Sequence, residues 1–298
     1  DGLTAGTAIA SKVVTTDANI DTTGQRNLTI TGELDAATLD ISGDADIDGA
    51  LNTDGLTNAG NFSTDGGTIK LDGNYPTGTC NVALGDNALG SGSLSGDFNT
   101  AVGTNALLAN TSADANTAIG RSSLCSNTTG NCNTGLGMNA LLGNTEGFGN
   151  VAVGRSSMVA NTTGDNNVAV GQNSLVSNTT ADNNTAIGTV ALAANTTGTN
   201  NVAVGKDALN DNTTASANTA IGTGTLSKTI TGANNTAVGF ASLLVNTASN
   251  NTTVGAYSLC DNTTGASNTG LGYSSLDSNT EGDNNVAVGA DALNKNTT

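Results

Sequence analysis

One phrase recurs through this chain with a period of seventeen residues. Asn184-Thr-Ala-Ile-Gly188 returns as Asn201-Val-Ala-Val-Gly205. The glycine that ends the phrase stands at positions 85, 103, 120, 137, 154, 171, 188, 205, 222, 239, 255, 272 and 289, and ten of the twelve intervals are 17. The first interval is 18, and the step from Gly239 to Gly255 is 16. A strict period in a low-complexity chain points to a repeat architecture, where each unit contacts only its neighbours. Without the period, so much Asn, Thr, Gly, Ala and Ser would read as disorder.

Numbering each unit from this glycine (position 0) lets every place be read as a column. Position −4 is Asn in every unit from Asn99 to Asn285, and position −1 is Val, Ile or Leu. Position +4 is Leu, with Met158 the one substitute. From Gly103 onward, positions +7 and +8 are Asn-Thr except at Thr229-Ile230. A helix cannot carry this pattern, because a 17-residue period drifts about a quarter turn per unit. Asn, Thr and Gly are also weak helix formers. The run [TV]-A-[VI] alternates with period two and suits a short strand. The glycine permits a sharp turn, and Asn-Thr-Thr-Gly supplies a second corner. The expected fold class is all-β: a parallel β-solenoid, or β-roll, over residues 80–298, with two short strands and two corners per coil. About thirteen coils stacked at ~4.8 Å make a rod roughly 60 Å long. Asn columns can then pair amide to amide along the axis.

A rod of this composition buries little. The chain has no Trp, seven Tyr plus Phe, and few apolar positions per unit. They are too few to offset the entropy of ordering a whole coil. Side-by-side packing against sister copies would supply the missing burial. Position −2 is Ala almost throughout, with Gly135, Thr253 and Gly270 as exceptions. If Val or Ile at −1 faces inward, this small column faces outward and admits close approach by another chain. The opposite assignment, with Ala inside and Val/Ile outside, would remove that support.

Residues 1–79 lack the repeat. Short alternating runs such as Leu28-Thr-Ile30 and Leu39-Asp-Ile41 are separated by Gly or Asp. They read as brief strands of an intertwined fibrous segment, with a linker around Tyr75-Pro76-Thr77-Gly78.

Other chemistry is sparse. The chain has no His, eight Lys plus Arg and 25 Asp plus Glu, a formal net charge of −17. Without a basic stripe, nucleic acid is not an expected partner. No apolar run reaches 18 residues, so no membrane span is expected. With no His and with carboxylates scattered through variable columns, the expectation is a non-enzyme without cofactor or metal. Asp44-Ala-Asp46-Ile-Asp48-Gly49 begins like a calcium loop, but Gly55 stands where the bidentate Glu belongs. Adjacent Thr residues in Asn-Thr-Thr cannot both face out of one strand, which argues against an ice-binding face. Cys125 and Cys132 flank one corner, so a local disulfide is conceivable beside the reading of free thiols. The chain reads as a mature product or a segment of something longer.

The Asn-[TV]-Ala-[VI]-Gly strand followed by a Leu coil resembles the head repeats of trimeric autotransporter adhesins, whose unit is shorter. Ala10–Leu51 resembles shaft segments of tail fibres and virion structural proteins of tailed phages, where similar arrays occur. These resemblances imply a homotrimeric fibre in the virion tail that projects host-receptor binding away from the particle. Its partners would be itself, other tail or baseplate proteins and host surface glycans. The alternative is a bacterial surface adhesin or extracellular filament. Candidate receptor contacts are the variable residues after each glycine, including Arg121, Arg155, Lys206, Phe240, Tyr257 and Tyr273.

Overall fold

The computed structural model describes residues 79–92 and 94–297. The fibrous reading of residues 1–79 and the Asp44–Gly49 loop therefore fall outside the described residues, apart from Thr79. Among the described residues there is no helix. Thirteen three-residue strands, from β1 (Val82–Leu84) to β13 (Val286–Val288), form one parallel sheet in sequential order. Each coil lays its strand beside the previous one in register. In β7 (Thr185–Ile187) and β8 (Val202–Val204), for example, Thr185 pairs with Val202 and Ile187 with Val204. The all-β parallel solenoid is thus the fold. The shortened step from Gly239 to Gly255 leaves strand register intact, with Thr236 still opposite Thr252. The missing residue is taken out of the corner, where Asn246 Nδ2 now reaches Ala248 O at 2.6 Å.

Two expectations are corrected. The coil carries one strand, not two. On the other side, positions +2 and +4 adopt left-handed backbone, as at Asn139 (φ 60) and Leu141 (φ 52). An extended strand cannot contain alternate left-handed residues. This side is nonetheless hydrogen-bonded coil to coil: Leu124 N donates to Ala140 O at 2.9 Å and Leu141 N to Ser157 O at 3.0 Å. Burying the leucine side chain offsets the conformational cost, since Leu124, Leu141 and their counterparts have no exposed surface.

The second correction is the sense of the strand. The Ala column points inward and the Val/Ile column outward. Ala186 is 0% exposed while its neighbour Ile187 is 41% exposed. The interior is too narrow for the larger side chain. At the exception Gly135, an added Cβ would lie 2.4 Å from Ser123 Oγ, and at Gly270 it would lie 2.5 Å from Ser258 Oγ. The inner residue at −2 is small because it meets the Ala, Ser or Thr at +3 across the lumen, as Thr253 Oγ1 meets Ser242 Oγ at 2.6 Å. The Ala row therefore gives no surface for sister chains.

Leu and Ala fill one half of the lumen and Asn fills the other. The +7 asparagines form an amide ladder, Asn144 Nδ2 to Asn127 Oδ1 and Asn178 Nδ2 to Asn161 Oδ1, both at 2.7 Å. The −4 asparagines work differently. Asn133 N donates to Asn116 Oδ1 at 2.8 Å, and Asn133 Nδ2 donates to the corner carbonyl of Gly147 at 2.7 Å. Buried backbone and side-chain polar groups thus satisfy each other, as a water-poor interior requires.

Candidate interaction surfaces

The outward face of the sheet is built from two columns. Position −3 supplies Thr or Val and position −1 supplies Val, Ile or Leu, so the alternation places both on the same side. Along the −1 column, Leu136 is 43% exposed, Ile221 41% and Val254 45%. No residue of any described strand is charged, although the whole chain carries a net −17. The result is a flat strip without charge, extending over thirteen strands. Ile187 at 41% and Val288 at 69% continue the same exposed row, and a contiguous apolar row of this kind marks an interaction surface. The sequence reading missed this strip because it placed these residues inside.

The column after the glycine is a second surface. Arg121, Arg155 and Lys206 stand at +1 in their coils and are exposed. They are separated along the axis and do not form one cationic site. Arg121 Nη2 lies 3.8 Å from Met138 Sδ in the next coil, and Lys206 Nζ is 3.3 Å from Asp207. The three aromatic candidates are brought together. Phe240 and Tyr273 stand at +1 and Tyr257 at +2, on three consecutive coils. Phe240 and Tyr257 ring centroids are 5.4 Å apart, and those of Tyr257 and Tyr273 are 6.1 Å apart, both edge to face.

Cys80, Cys125, Cys132 and Cys260 are free thiols, and Cys125 and Cys132 are not bridged to each other. Cys80 and Cys132 are exposed. Burial, with the Asp261 and Asp277 carboxylates, pushes the Cys260 thiol up to about 11. Burial first, then the Asp261 and Asp291 carboxylates, raises the Asp277 carboxyl above its ordinary range. Among the described residues no group of three His, Cys, Asp or Glu side chains could hold a metal ion, and no helix is long and apolar enough to cross a membrane.

Compared with known protein families, curated proteins and solved structures, the chain has no match. The class defined by its own geometry is a parallel β-solenoid with an uncharged, apolar sheet face.

Proposed function

We propose that this chain is a non-enzymatic shaft segment of a fibre, and that it works as a homotrimer whose copies pack side by side through their outward sheet faces. One observation supports this most: the continuous Val/Ile/Leu strip has no charge on a strongly acidic chain. Acidic rods repel one another, so close parallel contact needs a strip free of carboxylates. Stacked coils make a stiff spacer, because every coil is hydrogen-bonded to both neighbours.

The assignment to a phage tail fibre rests on the resemblance of Ala10–Leu51 to phage shaft segments. In that setting the rod holds a binding element away from the particle, and its exposed post-glycine residues touch host surface glycans. Sedimentation equilibrium of the purified chain tests the assembly. The expected mass is three times the 29.0 kDa of one chain. A single-chain mass at micromolar concentration rejects it.

A further inference from the structure

On the side away from the sheet, the Asn-Thr-Thr corners tie each coil to the next. A regular corner does this four times. Thr162 N donates to Thr179 O at 2.9 Å, and Thr162 Oγ1 donates to the same carbonyl at 3.0 Å. Thr163 N adds a third bond to Thr179 O at 3.2 Å. The amide link from Asn178 Nδ2 to Asn161 Oδ1 is the fourth.

At the coil of Gly222 these ties are missing on both sides. That coil carries Thr229-Ile230-Thr231 where Asn-Thr-Thr is usual, and the coil after it is one residue short. Among the described residues, Thr213 N and Thr214 N make no bond to Ile230 O, and Ile230 N and Thr231 N make none to Thr247 O. Thr229 Oγ1 and Asn212 Oδ1 are buried without partners. Ile230 is 48% exposed, so its side chain does not fill the gap. Regular ties resume one coil later, where Thr247 N donates to Thr263 O at 2.9 Å. The sheet side has no such break. Thr219 N donates to Asn235 O at 2.8 Å and Thr236 N to Asn251 O at 2.9 Å. Asn235 N also donates to Asn218 Oδ1 at 3.0 Å.

We propose that the coil of Gly222 is a joint, a compliant point in a stiff rod that opens at the corner and pivots on the sheet. Bending a stack of coils separates neighbouring coils on one side. Where corner ties exist, separation breaks hydrogen bonds and leaves buried polar groups unsatisfied. At Thr229–Thr231 no tie remains to be broken, while strand pairing still resists movement on the opposite side. Segments with few local links are where a fold opens first. Phe240, Tyr257 and Tyr273 all lie beyond this joint, so the section that carries them can tilt as a unit against the preceding array. The joint goes beyond the fibre reading: it belongs to the single chain and operates in any state of assembly.

Pulsed dipolar spectroscopy of the full chain tests it, with the native cysteines changed to Ser. Labelled chain is diluted in excess unlabelled chain, so that only distances within one chain are read. One sample carries Thr197→Cys and Thr264→Cys, which lie four coils apart across the joint. A matched sample carries Thr129→Cys and Thr197→Cys, in the same column and also four coils apart, with every corner between them tied. Each pair spans roughly 19 Å along the axis. The expected distance distribution is about twofold wider across the joint. A third sample adds Thr229→Asn and Ile230→Thr to the first pair, restoring Asn-Thr-Thr-Gly, and its width should fall to that of the matched pair. Equal widths in the first two samples overturn the proposal. So does a wide distribution that the restored corner leaves unchanged. Hydrogen exchange on the unaltered chain gives a second reading at amides bonded alike in the structure. Asp211 N donates to Ser227 O and Lys228 N to Leu244 O, as Ser177 N does to Ala193 O and Ala194 N to Asn210 O. Asp211 and Lys228 should exchange about tenfold or more faster than Ser177 and Ala194, while Thr219 on the sheet stays as slow as Thr185. Equal rates at the four corner-side amides contradict the joint. Fast exchange at Thr219 as well shows a coil that unfolds instead of pivoting, and contradicts it too.

Discussion

Asn161 donates its side-chain amide to Oδ1 of Asn144, one coil away, at 2.7 Å. The same link repeats along most of the +7 column; it is missing between Asn127 and Asn110, whose Oδ1 is buried without a partner, and at Thr229. There the chain places a hydroxyl where an amide belongs. Asn212 Oδ1 on one side and Thr229 Oγ1 itself are buried without a hydrogen-bond partner. Thr229→Asn is expected to close both gaps, since the new Nδ2 faces Asn212 and the new Oδ1 can accept from Asn246. Satisfying buried polar atoms should stabilise the rod by about 1–3 kcal/mol. Thermal or urea unfolding checks this, with Asn161→Thr as the mirror experiment, expected to cost a similar amount.

The glycine at position 0 is required twice over. At Gly171 the backbone has φ 134, and an added Cβ would stand 2.5 Å from Gly188 O. Gly171→Ala is therefore expected to destabilise by about 3 kcal/mol or more, from left-handed strain and backbone contact together. Gly224 provides the contrast: φ is 67 and nothing lies within 4 Å of an added Cβ. Gly224→Asn, matching its column, should stay within about 0.5 kcal/mol of the unaltered protein. Equal losses at the two sites in chemical denaturation would refute the role given to coil-to-coil approach.

Ionisation near the end of the rod is also testable. The thiol of Cys260 is raised from 9.0 to about 11 by burial and by the Asp261 and Asp277 carboxylates. Between those values the folded chain keeps a proton that the unfolded chain has lost. Stability from this group is complete below pH 9 and declines as pH rises toward 11. At pH 8 iodoacetamide should modify exposed Cys80 and Cys132 first and Cys260 last, because the thiolate is the nucleophile. Peptide mapping of the alkylated protein gives the order.

The neighbouring Asp277 is raised by burial, Asp261 and Asp291. A raised carboxyl binds its proton more tightly folded than unfolded, so its ionisation at neutral pH opposes folding. Asp277→Asn should raise Tm at pH 7, and the gain should fade as acid protonates the native carboxyl. A gain that persists unchanged at low pH would show that charge is not its cause.

Much of the architecture was legible because stacking puts equivalent residues directly above one another. The seventeen-residue period named the strand, the Leu core and the Asn ladder before any coordinate. The sense of the strand was not legible from alternation, which separates two faces without saying which is inside. The signal lay in volume. Position −2 admits only Ala, Gly or Thr, as a narrow lumen demands, while position −1 freely exchanges Val, Ile and Leu. Composition suggested association, but the Ala row was the wrong surface for it. The aromatic candidates were visible singly. Their grouping depended on counting coils through the shortened step at Gly239–Gly255, which keeps Phe240, Tyr257 and Tyr273 adjacent. The second side of the coil was missed because left-handed backbone at Leu141 or Leu175 is not a preference of leucine; tertiary stacking imposes it.

In the proposed fibre the outward sheet face is the contact between copies. Spin labels placed singly at Ile187→Cys and at Thr197→Cys, with the four native cysteines changed to Ser, measure this directly by pulsed dipolar spectroscopy. The label at 187 lies on the sheet face and the label at 197 at the exposed corner. Packing through the sheet predicts short distances between copies at 187 and distinctly longer ones at 197. An absent dipolar signal at 187, or shorter distances at 197, would contradict it.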